Sequence, residues 1–252
     1  MFPPILILPQ VVAIADRAGA AILRHYEQGT AATAKADGSP VTAADQDAEA
    51  LIVAALRELT PSIPVVAEEA VAAGDVPEVG NGSFWLVDPL DGTREFIARN
   101  GEFTVNIALI EARRPILGVV LAPAIRTAWW GAIGHGATLR DPDGTRAIQA
   151  RPVPAAPVAV ASRSHRDART DAWLAEQNVA DIVSAGSSLK FCRVAEAKAD
   201  LYPRFGRTME WDTAAGQAVL EAAGGRVLRL DGSPLAYAKP GFENPEFIAR
   251  GA

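Results

Sequence analysis

Between residues 10 and 27 apolar side chains return every three or four positions, at Val11, Ile14, Ala18, Ala21 and Ile22. That is the spacing of one face of an α-helix. A polar loop follows over residues 30–40. A second helix is predicted to open at Thr42, because Asp45 three residues on completes a Thr-x-x-Asp capping pattern. Its core face would be Ala48, Leu51, Ile52, Ala55, Leu56 and Leu59, and Pro61 would stop it. Short apolar runs then predict a strand over 65–67, running into Glu68 and Glu69, and another over 84–87 that stops at Asp88. After the turn 88–92 a short helix reaches about residue 99, starting beside Asp91 and Gly92. Two β-rich runs, 103–110 and 116–121, and a strand pair over 127–139 come next, with a turn at Asp141-Pro142-Asp143-Gly144.

Three prolines between Arg151 and Pro157 mark a boundary between two halves, 1–152 and 153–252. Beyond it, strands over 158–161, 181–183, 201–205 and 226–230 alternate with helices over 166–177, 188–197 and 212–223. Gly224-Gly225 closes the last helix. Such alternation predicts an α/β second half.

The 252 residues fit one large domain or two smaller units sharing an interface. A formal net charge of −6 excludes a global attraction for nucleic acid or an anionic membrane face. An anionic ligand would therefore need a local source of positive charge: a metal, a helix N-terminus, or a few placed Arg and Lys. Cys192 is the one cysteine, so no intrachain disulfide can form, and its apolar surroundings read as a small buried hydrophobe. The apolar start, residues 2–8, has no basic residues and is broken by Pro3, Pro4 and Pro9. It reads as too short to span a bilayer and as a poor signal peptide. A cytoplasmic protein without a transmembrane segment is expected, with peripheral association with the inner membrane and a homodimeric state left open.

The chemistry concentrates in acids at element ends. Asp88-Pro89-Leu90-Asp91-Gly92-Thr93 places two carboxylates three residues apart across a tight turn, where they can converge on one point. Like charges held that close repel, and a cation repays the cost. Oxygen ligands with no His or Cys nearby favour Mg²⁺, Mn²⁺ or Ca²⁺. The structural alternative is that Asp91 caps a helix and Asp88 merely ends a strand. Of Glu68 and Glu69 only one can face a given side of the strand they end. Asp212, in Trp211-Asp212-Thr213-Ala214-Ala215-Gly216, also reads as an ordinary N-cap, and its small followers let another backbone pack close.

Glu68-Glu69, Asp88-Pro89-Leu90-Asp91-Gly92-Thr93 and Trp211-Asp212-Thr213-Ala214-Ala215-Gly216, in that order and at those gaps, resemble the signature set of the inositol monophosphatase family, the lithium-sensitive, magnesium-dependent phosphatases. The run from Thr93 to Leu109, Ser162-Arg163-Ser164-His165, Gly186-Ser187-Ser188-Leu189-Lys190 and the stretch from Tyr202 to Gly216 resemble the CysQ-type 3'(2'),5'-bisphosphate nucleotidases within it. The resemblance runs from about Lys35 to Leu230. It implies an α/β (α+β) fold, a layered αβαβα sandwich of the inositol monophosphatase/fructose-bisphosphatase type, with the site between the halves. It implies that Glu68, Asp88 and the Leu90 carbonyl hold one Mg²⁺, and that Asp88, Asp91 and Asp212 hold a second. Thr93 would orient the attacking water, with Glu68 or Asp45 helping, through a third metal if one is used.

The substrate expectations follow. Gly92 and Thr93 would bind non-bridging phosphate oxygens at the start of their helix. Ser164 also reads as a helix cap and His165 as a surface residue; the resemblance makes His165 a nucleotide contact. Gly186, Ser187 and Ser188 would bind a second phosphate, neutralised by Lys190 and Arg204, both otherwise plain surface charges. The implied substrate is 3'-phosphoadenosine 5'-phosphate, a small phosphorylated nucleotide and not a nucleic acid polymer. A sugar or inositol monophosphate on the same metals is the alternative, and a non-catalytic metal- or partner-binding module a more distant one.

Overall fold

The computed structural model describes residues 4–29, 32–34, 40–162 and 168–252. The first helix, α1 (Pro4–Gln28), starts earlier than its polar–apolar pattern suggests. Pro4 occupies the first helical position, where a missing N–H loses no bond, and Pro9 is carried in the second turn. The helix is thus long and apolar enough to cross a membrane, contrary to the expectation from residues 2–8. Its Leu8, Val11, Ile14, Ala18 and Ile22 are instead packed in the core of this fold. Residues 32–34 and 40–42 pair as two short antiparallel strands, β1 (Ala32–Ala34) and β2 (Pro40–Thr42). Helix α2 (Ala43–Leu59) opens as expected. Thr42 is extended, its side chain accepts from Ala44 N–H, and Asp45 Oδ2 accepts the Thr42 N–H at 2.8 Å.

Seven strands form the first sheet in sequence order: β3 (Val65–Ala67), β4 (Phe84–Asp91), β5 (Thr104–Glu111), β6 (Arg114–Ala122), β7 (Thr127–Ala132), β8 (Gly136–Asp141) and β9 (Gly144–Ile148). β3 and β4 are parallel and the rest antiparallel. Alternate residues of the central strands serve opposite faces, the period-2 signature of a strand. Trp85, Val87, Ile107 and Val119 pack with α1 and α2, whereas Phe84, Leu86, Ala108 and Val120 pack on the other side.

That other side carries α6 (Leu189–Ala195) and α7 (Glu210–Ala222), which also pack on the second sheet. The second sheet has the order β11-β10-β12-β14-β13, with β10 (Val158–Ser162), β11 (Asp181–Ala185), β12 (Leu201–Arg204), β13 (Arg226–Arg229) and β14 (Phe247–Arg250). β11, β10 and β12 are parallel, as βαβ units require; β14 and β13 join antiparallel, so the half is mixed rather than purely α/β. Leu174 of α5 (Ala168–Glu176) covers the outer face at Ala159 and Leu201. The layers are therefore αβαβα. Phe84 and Trp129 of the first half share one core with Phe191, Tyr202 and Phe247 of the second.

Small residues make the middle layer thin. A Cβ on Gly118 of β6 would stand 2.7 Å from Ala218 Cβ and 3.0 Å from Ala215 Cα, so α7 lies with its backbone against the sheet. On α7's other side, Gly216 seats the Phe191 ring of α6. The stretch Thr213-Ala214-Ala215-Gly216 thus does what its composition suggests, and it fixes the depth at which α7 sits.

Candidate active site

β4 ends in a bulge between Asp88 and Asp91, one turn further than the apolar run indicates. Asp88 is 1% exposed, and its Oδ1 accepts the Leu90 N–H at 3.0 Å across the turn. Asp91 does not cap the next helix. The N-cap of α4 (Thr93–Ile97) is Gly92, at φ 91°, without a side-chain cap. An L side chain is strained at that angle, and a Cβ would run into Ser187 Oγ. Asp91 turns away instead, its Oδ2 accepting from Ser188 Oγ at 2.9 Å and Asn106 Nδ2 at 3.3 Å.

One carboxylate of α2, Asp45, backs this turn. Asp45 forms the expected capping box and also touches Thr93. Its Oδ2 completes the capping box, while Oδ1 accepts the Thr93 hydroxyl at 3.3 Å. Thr93 Oγ1 also lies 3.4 Å from the Leu90 carbonyl oxygen. Asp45 is buried behind Thr93 and does not line the cavity. Glu68 does line it, whereas Glu69 does not. Glu68 is the first residue of α3 (Glu68–Ala72) and not the end of a strand.

The second half closes the site through α7 and the loop before α6. Asp212 is the third residue of α7, not its N-cap; that position is Met209, whose N–H donates to Asp212 Oδ2 at 2.7 Å. The expected phosphate loop is largely committed to protein. Gly186 N–H donates to Glu102 Oε2 at 2.9 Å, and Ser187 Oγ lies 2.8 Å from the carbonyl oxygens of both Asp91 and Glu102, with one proton to share between them. Ser188, 1% exposed, bonds Asp91 Oδ2 and the Asp212 carbonyl at 2.8 Å. These three residues stitch the halves together; of them only Ser187 reaches the cavity wall. Lys190 is no surface charge. It is 5% exposed, donates to the Ser187 carbonyl at 2.5 Å and lies 5.5 Å over the Tyr202 ring. Arg204 is half-buried, donates to the Arg207 carbonyl at 2.7 Å, and has a buried Nε with no partner among the described residues.

Electrostatics set the character of the site. Burial, then the neighbouring Asp91 and Glu68, push the Asp212 carboxyl up to about 8. Burial also raises Asp91, against Lys190, Ser188 and Asn106. Burial takes Lys190 down to about 8 in spite of the attraction of Asp91. Desolvation therefore outweighs the mutual attraction of the two charges on both groups.

The cavity so enclosed has a volume of about 450 Å³. Glu68, Asp88, Leu90, Asp91, Gly92 and Thr93 line it from the first half, and Asp212, Lys190 and Arg204 from the second. Arg94, Arg207, Tyr202 and Trp211 also line it. All four lie within the stretches that carry the family resemblance, and Arg94 and Trp211 directly adjoin Thr93 and Asp212, but none is among the expected site residues. Ser164 and His165 lie outside the described residues. Among the described residues no three Asp, Glu, His or Cys side chains form a ready-made cage. The donor set nonetheless fits a hard divalent cation. It is all oxygen, and a cation would relieve both causes that lift Asp212, first its burial and then the repulsion of Asp91 and Glu68.

Fold and site together define a class, and comparison with known proteins agrees. Residues 7–247 match the inositol monophosphatase family, and the chain belongs to that family. It is similar to the 3'(2'),5'-bisphosphate nucleotidase CysQ of Escherichia coli (strain K12), with 49% identity over 95% of this chain and 98% of that protein. It is 39% identical to the protein of the same name from Buchnera aphidicola, over 96% and 92% of the two chains. Among solved structures, CysQ from Bacteroides thetaiotaomicron, a bacterial member of the same family, matches with a TM-score of 0.81, 40% identity and 97% coverage of each chain. An inositol monophosphatase from Anabaena matches with a TM-score of 0.78 and 27% identity, over 97% and 90%.

Proposed function

We propose that this chain is a Mg²⁺-dependent 3'(2'),5'-bisphosphate nucleotidase that hydrolyses 3'-phosphoadenosine 5'-phosphate to AMP and phosphate. The observation that carries the reading is a cavity lined by a cluster of carboxylates and also by Lys190, Arg204, Arg207 and Arg94. In a chain of net charge −6 this is local positive charge for a phosphate beyond the one being cleaved.

Glu68, Asp88, the Leu90 carbonyl, Asp91 and Asp212 are the residues that would hold Mg²⁺. Bound there, the ions supply a water of lowered pKa and charge for the leaving oxygen. Thr93 donates its proton to Asp45, which leaves its Oγ1 lone pairs to accept from the attacking water. Gly92 would bring the backbone close to a non-bridging phosphate oxygen from a left-handed conformation in which a Cβ would run into Ser187 Oγ. Lys190 has three ammonium protons, and those facing the Ser187 and Ala185 carbonyls fix its direction toward the cavity. With Arg204 it would meet the second phosphate, and the family resemblance assigns Ser164 and His165 to the nucleotide. Clearing this by-product of sulfate activation would support sulfur assimilation.

The test is phosphate release with Mg²⁺ from the bisphosphate nucleotide, AMP and inositol monophosphate. The reading expects kcat/KM to favour the bisphosphate by about a hundredfold, on the order of two charge-assisted contacts. Equal or faster hydrolysis of inositol phosphate would transfer the chain to the sugar-phosphate alternative.

A further inference from the structure

Helix α3 begins with no cap of its own, since its N-cap is Ala67, whose methyl group accepts nothing. The acceptors come from another helix. Glu49 of α2 takes the Glu69 N–H on Oε2 and the Ala70 N–H on Oε1, both at 2.8 Å. Glu49 is 8% exposed and does not line the cavity. It stands one turn beyond Asp45 on α2, four residues along and so on the same face. That face therefore presents two carboxylates in series. Asp45 holds the Thr93 hydroxyl, and Glu49 holds the turn that begins with Glu68.

We infer that Glu49 is a positioning residue for the metal site: its two-pronged contact fixes the first turn of α3 and with it the place of Glu68 at the cavity wall. The inference rests on the reading that Glu68 holds a cation. One bond would leave the turn free to rotate about it, whereas two bonds to consecutive residues set both its height and its twist. The chemistry also explains why an acid stands here. An acid next to Glu68 and Glu69 adds repulsion, so a neutral residue would be the easier choice if packing alone mattered. Only a carboxylate offers two acceptors on one rigid fork; a glutamine would point an NH₂ at one of the two N–H donors.

The test is Glu49→Gln in the full chain, read by Mn²⁺ titration followed through the ion's paramagnetic resonance signal and by the Mg²⁺ dependence of phosphate release. The expected result is a loss of metal affinity of about 10–100-fold, the size seen for groups behind metal ligands, with KM for the bisphosphate at saturating Mg²⁺ within about twofold of wild type. A group serving only the packing of α3 would lower urea stability and leave metal affinity alone; that result overturns the inference. If Glu49→Gln does not fold, Glu49→Asp is read in the same titration. It keeps both acceptors on a shorter stem, so weakened Mn²⁺ binding supports the inference and wild-type binding overturns it. Glu68→Gln separates the two levels of the argument. Lost Mn²⁺ affinity in Glu68→Gln with wild-type affinity in Glu49→Gln defeats the positioning role alone. Wild-type affinity in Glu68→Gln defeats the ligand assignment on which it rests.

Discussion

Gly118→Ala should damage the active site from the far side of a sheet. Gly118 lies in β6, and α7 rests on it with Ala215 and Ala218; Asp212 is one turn away along the same helix. A Cβ at Gly118 would stand 2.7 Å from Ala218 Cβ and 3.0 Å from Ala215 Cα, closer still to the Ala215 carbonyl oxygen. Ordinary carbon contacts are about 3.5–4.0 Å, so the helix must retreat by about 1 Å. It cannot retreat freely, because Gly216 on its opposite side already holds the Phe191 ring. Overpacking of this kind costs about 1–3 kcal/mol, offset by about 0.5 kcal/mol from the stiffer unfolded chain. A net cost of about 1.5 kcal/mol corresponds to a melting-temperature drop of about 3–6 °C for a chain this long. A shift of about 1 Å at a catalytic ligand costs on the order of a hundredfold in rate. Urea denaturation in chelator gives the first quantity, and turnover against Mg²⁺ concentration gives the second. Wild-type stability together with wild-type Mg²⁺ dependence would refute the claim that α7 is pinned at this depth. A stability loss with unchanged turnover would show that the strain relaxes away from Asp212.

Asp88→Asn keeps the shape of a residue that is 1% exposed and can still accept the Leu90 N–H, so turnover should vanish while the melting temperature stays near wild type; wild-type-like activity at millimolar Mg²⁺ would remove Asp88 from the metal site. Asp212 is raised to about 8 from 3.8, so cation binding at pH 7 should expel about one proton, detectable by calorimetry in buffers of different ionisation enthalpy. The same shift fixes a sign for the chelated protein: unfolded Asp212 ionises near 3.8 and folded Asp212 near 8, so its contribution to stability falls as pH rises between those values and is flat above them. No proton release at pH 7 would mean that the site is already ionised. Lys190→Ala and Arg204→Ala should each lower kcat/KM for the bisphosphate by about ten- to a hundredfold and spare AMP, which never uses that contact; equal losses on both substrates would assign these residues to the fold.

What the sequence determined by itself is what neighbours in the chain decide. The Thr42–Asp45 box, the core face of α2 and the alternating strands β4 to β6 were legible because capping and periodicity act over a few residues. The same holds for Asp88 and Asp91, brought to one turn by the chain itself, and for the small residues after Asp212. β9 escaped notice because it is an exposed edge strand, Gly144–Ile148, with no apolar face to alternate. β14, Phe247–Arg250, was not predicted either. Only the tertiary structure decided which polar groups face which. Asp91 was free to cap a helix until Ser188, 97 positions later, claimed its carboxylate. Lys190 reads as a solvated cation until two sheets close over it, and burial then takes it down to about 8. Glu49 carries no local signal, since its partners lie 20 and 21 residues away on another helix. Burial and hydrogen-bond partnership are properties of the assembled layers. A single strand or helix can state which of its faces is apolar, but not what will be placed against the polar one.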